Sequence, residues 1–370
     1  KFFDIAATMK DVISLGVGEP DFITPWTIRE SCVYGLEQGY TSYTSNKGLL
    51  ELREEIIRHH AEVDGLTGPT ADDVLVTVGV SEALDIAMRA ILGPGDEILI
   101  PEPCYVSYSA CATLAGGIPV AVPSRIENEF RVTPEDLEAH ITDRTKALLI
   151  GYPNNPTGAI MPREQLLKIA DFARRHDLIV ISDEIYGDLT YGDQPHTSFA
   201  ALPGMAERTI LLNGFSKAYA MTGWRIGYAI ANPAIIAAMT KIHQYTILCA
   251  PITAQVAAIE ALRRGEKYRL KMLTEYDRRR KFIYDGLNQL GLPAFEPKGA
   301  FYIFPDIRST GLTSNDFAEQ LLTAEHVALV PGTAFGSCGE GYVRCSYATS
   351  LDKIAEALNR IENFLKKRAK

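Results

Sequence analysis

Cysteine is scarce in this 370-residue sequence, and the six cysteines form no pattern typical of a metal site or a disulfide scaffold. None of them stands in a C-x-x-C pair, and no two combine with histidines at zinc spacing. These absences exclude the small disulfide-rich proteins and the zinc modules as classes. We therefore expect no metal site, and we expect a reducing, cytoplasmic compartment.

Positive charge is not in excess, and no long apolar run is uninterrupted. The net charge is −9, from 37 Lys and Arg against 46 Asp and Glu, so no basic field points to nucleic acid or to an anionic membrane. The apolar stretch 225–239 is broken by Arg225 and by Asn232-Pro233, which makes it unsuited to crossing a bilayer. Dinucleotide-binding and P-loop glycine motifs are also missing from the sequence. We expect neither nucleic acid nor a membrane as a partner.

Short apolar runs alternate with amphipathic helix patterns over most of the chain. Such runs predict strands buried on both faces, and hence a mostly parallel sheet flanked by helices, an α/β fold. We expect the large domain to cover residues 25–255 and a smaller α+β domain to combine residues 1–24 and 256–370. The predicted strands of the large sheet lie at residues 74–78, 97–100, 147–150, 178–181 and 209–212.

A turn that suits an anion follows the first predicted strand, at Gly79, Val80 and Ser81. Free backbone N–H groups and the dipole of the following helix favour a phosphate there. Taken alone, the same residues favour an ordinary glycine turn with Ser81 as helix N-cap. The G-x-S-x-A pattern is also close to a nucleophile elbow, so a serine hydrolase using Ser81, Asp183 and His243 stays an alternative.

Polar side chains follow the other predicted strands, where ligands of a parallel sheet bind. Asn155 follows the third strand, Asp183 ends a fully apolar fourth strand, and Lys217 follows the fifth with Arg225 beyond it. A carboxylate at such a strand end is costly without a cation or a donor, and a desolvated lysine amine is a Schiff-base nucleophile. Each signal is weak alone. Together they meet the needs of pyridoxal 5'-phosphate.

Seven motifs in one order carry a resemblance that covers essentially the whole chain. The sequence resembles the class I aminotransferases, which are fold type I pyridoxal-phosphate enzymes. The motifs are GEPDF at 18–22, Tyr43 with Gly48 and LR at 52–53, NNPTG at 154–158, SDEIY at 182–186, SK at 216–217 with Arg225, GAFY at 299–302, and RCSY at 344–347.

The resemblance implies a role for each residue that would hold the cofactor. Lys217 would form the Schiff base and later move a proton as general base and acid, and Asp183 would pair with the pyridine nitrogen. Asn155 and Tyr186 would hydrogen-bond the phenolate oxygen. The remaining cofactor contacts would be ring stacking by Tyr105 and phosphate binding by Val80, Ser81, Ser216 and Arg225.

The resemblance also implies how substrate and a second subunit would bind. Arg344 would hold the α-carboxylate of the amino acid as a bidentate fork, with Gly18 and Asn155 beside it. Tyr43 would reach the phosphate of the neighbouring subunit, which implies a homodimer with shared active sites. Tyr302, Tyr105 and residues 2–5 are candidates for an apolar pocket around the side chain of the donor.

Three departures from the family pattern bear on the substrate. Gly214 occupies a position that is Ser in many relatives, and Tyr105 stands where aspartate-type members often have Trp. Ser81 replaces a Lys that in aspartate-type members of this subgroup meets the distal carboxylate. We therefore expect transfer from an L-amino acid, with aromatic or broad specificity or an acyl-diaminopimelate donor favoured over aspartate, to a 2-oxo acid such as 2-oxoglutarate.

Other functions stay open beside this prediction. A cysteine-conjugate β-lyase or a decarboxylase would use the same cofactor and fold to cleave a different bond at Cα. The serine hydrolase is the alternative from a different class. A cofactor-binding regulator without turnover is a further one, although no basic helix-turn-helix segment accompanies the predicted fold.

Overall fold

The computed structural model describes residue 9 and residues 11–368, and its elements form an α/β fold as predicted. In these residues the helices are α1 (Trp26–Glu37), α2 (Leu50–Val63), α3 (Gly79–Ile91), α4 (Ser107–Leu114), α5 (Pro134–Glu138), α6 (Arg163–Arg175), α7 (Pro233–Thr246), α8 (Ile252–Arg264), α9 (Glu266–Gln289), α10 (Ser314–Glu325) and α11 (Leu351–Arg368). The strands are β1 (Ile13–Ser14), β2 (Val74–Thr77), β3 (Glu97–Glu102), β4 (Ile118–Pro123), β5 (Thr145–Gly151), β6 (Ile179–Asp183), β7 (Thr209–Gly214), β8 (Gly227–Ile230), β9 (Tyr302–Ile303), β10 (Val327–Ala328), β11 (Val330–Pro331) and β12 (Val343–Ser346).

The large sheet has seven strands in the order β2-β8-β7-β6-β5-β3-β4. All neighbouring strands from β7 to β4 pair in parallel, and only β8 runs in reverse, antiparallel to both β2 and β7. The five predicted strands are present. The sequence analysis missed β8 and the edge strand β4. Pro119 and Pro123 in β4 are tolerated because an edge strand leaves backbone N–H groups unpaired.

Both faces of the large sheet are buried, which explains the continuous apolar runs of its strands. On β3, Ile98 and Ile100 pack on one side with α3, whereas Leu99 packs on the other side with α6. The same alternation on β5 sends Leu149 to the first side and Leu148 to the second. The helices therefore cover the sheet and leave its strand ends as the place where polar groups can gather.

The last third of the chain forms a separate core together with the N-terminal segment. Strands β9, β12 and β11 form an antiparallel sheet, and β1 pairs in parallel with β10. Leu15 is buried in this core, which joins the 13–15 segment to residues more than 300 positions later. The small domain split between both termini stays a prediction. The predictions for residues 1–8, including the apolar pocket at residues 2–5, lie outside the described residues.

The domain boundary near residue 255 stays a prediction, and the packing suggests a different position for it. Residue 255 lies inside α8, whose buried face packs with α1 and α2 against the large sheet. A boundary near Gly265, between α8 and α9, follows the packing more closely. None of the helices described here is both long enough and apolar enough to cross a membrane.

We expect Leu15→Ala to lower the free energy of unfolding by roughly 2–4 kcal/mol, the usual cost of truncating a buried leucine. Leu15 is 1% exposed. Its N–H donates to the Ala328 carbonyl, and its own carbonyl accepts from the Ser346 N–H. Urea denaturation measures the change. Val17→Ala on the same segment is the control, since Val17 is 45% exposed. Equal losses for the two variants would contradict this role of Leu15.

Candidate active site

A cavity of about 640 Å³ opens at the carboxyl ends of the parallel strands, where the sequence analysis predicted the ligand. Its walls come from both cores: the strand ends of the large sheet on one side, and the 17–19 segment with Tyr302 and Arg344 on the other. Eleven of the twelve predicted site residues line it, namely Gly18, Val80, Ser81, Tyr105, Asn155, Asp183, Tyr186, Ser216, Lys217, Arg225 and Arg344. The twelfth, Tyr43, lies outside the cavity and is 82% exposed.

Lys217 follows β7 and carries its amine into the cavity. Its Nζ donates to the Gly18 carbonyl at 2.6 Å. Desolvation lowers the pKa of Lys217 to about 8, and the charges of Arg344 and Arg225 act in the same direction. A larger share of this amine is therefore unprotonated near neutral pH than for an exposed lysine, which is what a nucleophile requires.

Asp183 ends β6 and is buried at the floor of the cavity. Its carboxylate accepts the Tyr108 hydroxyl at 2.8 Å and the Ile185 N–H at 3.2 Å. Burial raises the pKa of Asp183 to about 6, although both hydrogen bonds lower it. A cationic N–H group placed here would stabilise the ionised form. The sequence analysis missed Tyr108, whose only signal was its place three residues after Tyr105.

The predicted anion turn is built from the start of α3 and from Arg225. Helix α3 begins at Gly79 with Val78 as N-cap, so Ser81 lies inside the first turn and is not the cap. A Cβ on Gly79 would come within 2.6 Å of the Arg225 guanidinium. The first N–H groups of a helix have no intrahelical partner. With Arg225 beside them, they form a cradle for a phosphate.

Gly214 explains one departure from the family pattern. A Cβ at this position would lie 2.9 Å from the Gly227 Cα and 3.0 Å from the Ile226 carbonyl oxygen. A serine would therefore need the backbone of β8 to move. The close approach of β7 and β8 therefore accounts for the glycine at this position, where the resemblance led us to expect a serine.

Arg344 is a buried cation that has no carboxylate partner among the described residues. Its Nη1 donates to Asn155 Oδ1 at 2.9 Å and its Nη2 to the Gly16 carbonyl at 2.6 Å. The guanidinium lies 4.5 Å above the Tyr302 ring, and its buried Nε has no hydrogen-bond partner in the part of the chain described. A buried cation without a carboxylate partner is suited to binding an anionic ligand such as a carboxylate.

Tyr186 and Tyr302 join the two sides of the cavity. Their hydroxyls are 2.7 Å apart, and both rings are buried. A Cβ on Gly18 would overlap the Tyr302 hydroxyl, so this position needs glycine. The sequence analysis named Tyr302 only as a pocket residue and missed its hydrogen bond to Tyr186. Tyr105 is 37% exposed at the rim, edge-on to Tyr108.

The residues of the hydrolase alternative do not form a catalytic triad. Asp183 accepts from Tyr108, whereas His243 is fully buried and pairs through Nδ1 with Glu82 at 2.6 Å. Neither contact links Ser81 to a histidine. No group of three or more His, Cys, Asp or Glu side chains within residues 9 and 11–368 is placed to hold a metal ion.

Comparison with known proteins identifies the class to which this site belongs. Residues 10–361 match the family described as aminotransferase class I and II. The chain is 50% identical to an aspartate aminotransferase of Pyrococcus abyssi, over 100% of this chain and 95% of the relative. It is 44% identical to aromatic-amino-acid aminotransferase 2 of Thermococcus litoralis, over the same shares of the two chains. The crystal structure of an aromatic aminotransferase from Pyrococcus horikoshii superposes with a TM-score of 0.96 at 48% identity, covering 100% of both chains.

The chain belongs to the class I and II aminotransferase family. It is an aminotransferase, and members of this family use pyridoxal 5'-phosphate to transfer amino groups of amino acids. The relatives do not favour the β-lyase alternative. The site fits the cofactor on its own features, because the desolvated Lys217, the buried Asp183 and the cradle at Gly79 match an aldehyde, a pyridine nitrogen and a phosphate.

We expect labelling of Lys217 in the cofactor-free protein to rise with pH around a midpoint of about 8. Below this pH the amine is protonated and unreactive, and above it the free base reacts. Reductive methylation with formaldehyde, followed by mass spectrometry of the Lys217 peptide, measures the midpoint. Labelling of the exposed Lys281 in the same digest corrects for the pH dependence of the reagents. A Lys217 midpoint near 10 would contradict the desolvation of this amine.

We expect Tyr108→Phe to weaken pyridoxal 5'-phosphate binding by roughly tenfold near pH 6, because it removes a hydrogen bond to a charged group. The Tyr108 hydroxyl lowers the pKa of Asp183, so its loss moves the ionisation of that carboxyl to higher pH. Titration of cofactor-free protein at several pH values measures both effects. Tyr268→Phe, outside the cavity, is the control. Binding unchanged at every pH would argue against the Tyr108–Asp183 contact.

Proposed function

We propose that this enzyme takes the amino group of an L-amino acid with an aromatic or other large side chain and transfers it to a 2-oxo acid such as 2-oxoglutarate. The observation that carries the proposal is the set of cations on the cavity: among its described lining residues these are Lys217, Arg225 and Arg344. We assign Lys217 to the cofactor aldehyde, Arg225 to the cofactor phosphate and Arg344 to the α-carboxylate of the substrate. No cation of this chain's cavity therefore remains for the distal carboxylate of aspartate.

The apolar part of the cavity lining supports the same donor class. Val17, Tyr105, Ile185 and Tyr302 contribute apolar and aromatic surface to the cavity, and Ser81 lies in the first turn of α3. Aromatic side chains bury large areas against such surfaces. The relatives bear both aspartate and aromatic names, so the proposal depends on the cavity and not on their names. An acyl-diaminopimelate donor is the other substrate that the absence of a distal cation allows.

We propose the following cofactor contacts, which the positions of the side chains support. When bound, pyridoxal phosphate withdraws electrons from the bonds at the substrate Cα. We assign Lys217 to its aldehyde, Asp183 to its pyridine nitrogen, Tyr105 to its ring face, and Asn155 and Tyr186 to its phenolate oxygen. Its phosphate is assigned to the cradle formed by Val80, Ser81, Ser216 and Arg225.

The same geometry supports a proposal for how the substrate is bound. Arg344, held by Asn155 and the Gly16 carbonyl, presents its guanidinium to the α-carboxylate, with Gly18 leaving room beside it. This contact fixes the amino acid so that its Cα lies within reach of Lys217. Lys217 Nζ takes the proton from Cα as general base and returns it as general acid, for which a pKa of about 8 is suited.

We further propose a homodimer in which Tyr43 reaches the phosphate of the partner's site. Large exposed apolar side chains lie on α1 and on the chain segments that flank it, one of which contains Tyr43, and such side chains mark an interface. They include Ile23 at 76%, Trp26 at 56%, Tyr34 at 60% and Tyr40 at 48% exposed. A cytoplasmic location and a role in amino-acid biosynthesis are also proposed. All six cysteines are free, which agrees with a reducing compartment.

Donor preference tests the proposed substrate. We expect phenylalanine or tyrosine to exceed aspartate in kcat/KM by at least roughly tenfold with 2-oxoglutarate as acceptor, about what one missing ion pair costs. Ser81→Lys would raise the aspartate value selectively, because it adds a cation at the cavity. Ser81→Thr is the matched control. Aspartate as the best donor of the unaltered enzyme would contradict the proposal.

Mixing of two variants tests the shared site. Lys217→Ala lacks the nucleophile, and Tyr43→Ala lacks the phosphate contact given to the partner. A mixed dimer has one site with both groups, so random reassociation would restore cofactor affinity in roughly a quarter of all sites. Light scattering measures the dimer, and a titration with pyridoxal 5'-phosphate measures the restored sites. A monomeric protein, or mixtures whose cofactor affinity is only the average of the two parent variants, would argue against a shared active site.

A further inference from the structure

Glu184, the residue after Asp183, is a buried carboxylate that lies outside the cavity and that the mechanism above does not use. It is 1% exposed. Its Oε1 accepts from the Ser182 hydroxyl at 2.7 Å, from the Phe199 N–H at 2.9 Å and from the Ser198 hydroxyl at 3.3 Å. These bonds tie the 198–199 segment to the end of β6. Three donors to this one oxygen hold the Glu184 carboxylate in one orientation.

His196 completes the set of partners from the same segment. Its Nε2 lies 2.9 Å from Glu184 Oε2, and its ring packs against Gly187, where a Cβ would come within 2.9 Å of the imidazole. The carboxylate can only accept, so the imidazole N–H donates. Glu184 and His196 thus close the two ends of the loop formed by residues 187–197.

This loop connects the cofactor side of the cavity with the substrate side. The Leu189 carbonyl accepts the Ala300 N–H at 2.8 Å, and the Tyr191 N–H donates to the Lys298 carbonyl at 2.9 Å. The loop therefore holds the 298–300 segment, which leads directly into β9 and Tyr302. A shift of Glu184 or His196, which lie at the two ends of the loop, would therefore displace both Asp183 and Tyr302.

We propose that the Glu184–His196 pair is a positioning device that fixes the Asp183 carboxylate and the 187–197 loop, with His196 balancing the charge of Glu184 beside Asp183. The proposal rests on the role assigned to Asp183 in cofactor binding. Glu184 and His196 touch neither cofactor nor substrate. They act through the backbone on either side of them and through their charge.

Electrostatics supports this geometry. Burial lowers the pKa of His196, but the carboxylates that face it, Glu184 first and then Asp64 and Asp188, raise it above its ordinary value. His196 therefore keeps its proton to higher pH than an exposed histidine. The negative charge of Glu184 raises the pKa of Asp183. A protonated His196 offsets that charge and so favours the ionised form of Asp183.

The affinity of the cofactor-free protein for pyridoxal 5'-phosphate, measured from pH 5 to 9, tests the proposal. His196→Ala is expected to weaken binding by roughly tenfold and to move its pH midpoint upward. His196→Gln keeps a donor and should restore most of the affinity, but not the midpoint, because it carries no charge. Glu184→Gln should move the midpoint downward. In turnover, His196→Ala should lower kcat more than it raises KM for the donor.

Two controls keep the outcomes distinct. His176→Ala removes an exposed His–Glu pair with Glu138 far from the cavity, and it should change neither the cofactor affinity nor its pH midpoint.

Asp183→Asn tests the assigned role itself: if it binds cofactor normally, the proposed function of Asp183 fails. If Asp183→Asn weakens binding while folded His196→Ala keeps the affinity and midpoint of the unaltered protein, only the positioning role is overturned. Should His196→Ala not fold, an unchanged midpoint in both His196→Gln and Glu184→Gln would overturn it.

Discussion

Desolvation of Lys217 and Asp183 at one edge of a buried sheet is the constraint on which this enzyme depends. Asp183 ends β6 and Lys217 follows β7, and these two paired strands are covered by helices on both faces. Burial therefore desolvates both groups. Burial shifts their pKa values toward each other, to about 8 for the amine and about 6 for the carboxyl. An amine that is easily deprotonated suits the aldehyde of pyridoxal phosphate, and a carboxyl that a cation would ionise suits its pyridine nitrogen.

The second consequence of burial is an unbalanced positive charge in a protein that is negative overall. The net charge is −9, yet Arg344 is buried without a carboxylate among its described neighbours, and Arg225 lies against the start of α3. We propose that anionic groups of the substrate and the cofactor supply the missing partners. Net charge therefore says little about the ligands of this enzyme, because a few local groups inside the cavity determine them.

The strand ends could be predicted from the sequence because a parallel sheet brings residues that follow its strands to one edge. Contacts that depend on long-range packing could not. Tyr108 reaches Asp183 from a helix 75 residues earlier, and His196 meets Glu184 through a loop without periodic pattern. Strand β8 was missed because Gly227 and Ala229 weaken its strand signal. It runs in reverse because residues 215–226 return the chain beside β7 without a crossover helix. Eleven residues of the cavity could be predicted from the sequence, whereas the contacts that orient them depend on partners that only the fold reveals.

We assign Lys217 as the nucleophile of a site assembled at the strand ends. Borohydride reduction of the purified protein loaded with pyridoxal 5'-phosphate, followed by peptide mass spectrometry, tests this assignment. We expect a single pyridoxyl group on the Nζ of Lys217, absent from the folded Lys217→Ala variant. A pyridoxyl group fixed to another lysine, together with full transamination by Lys217→Ala, would contradict it.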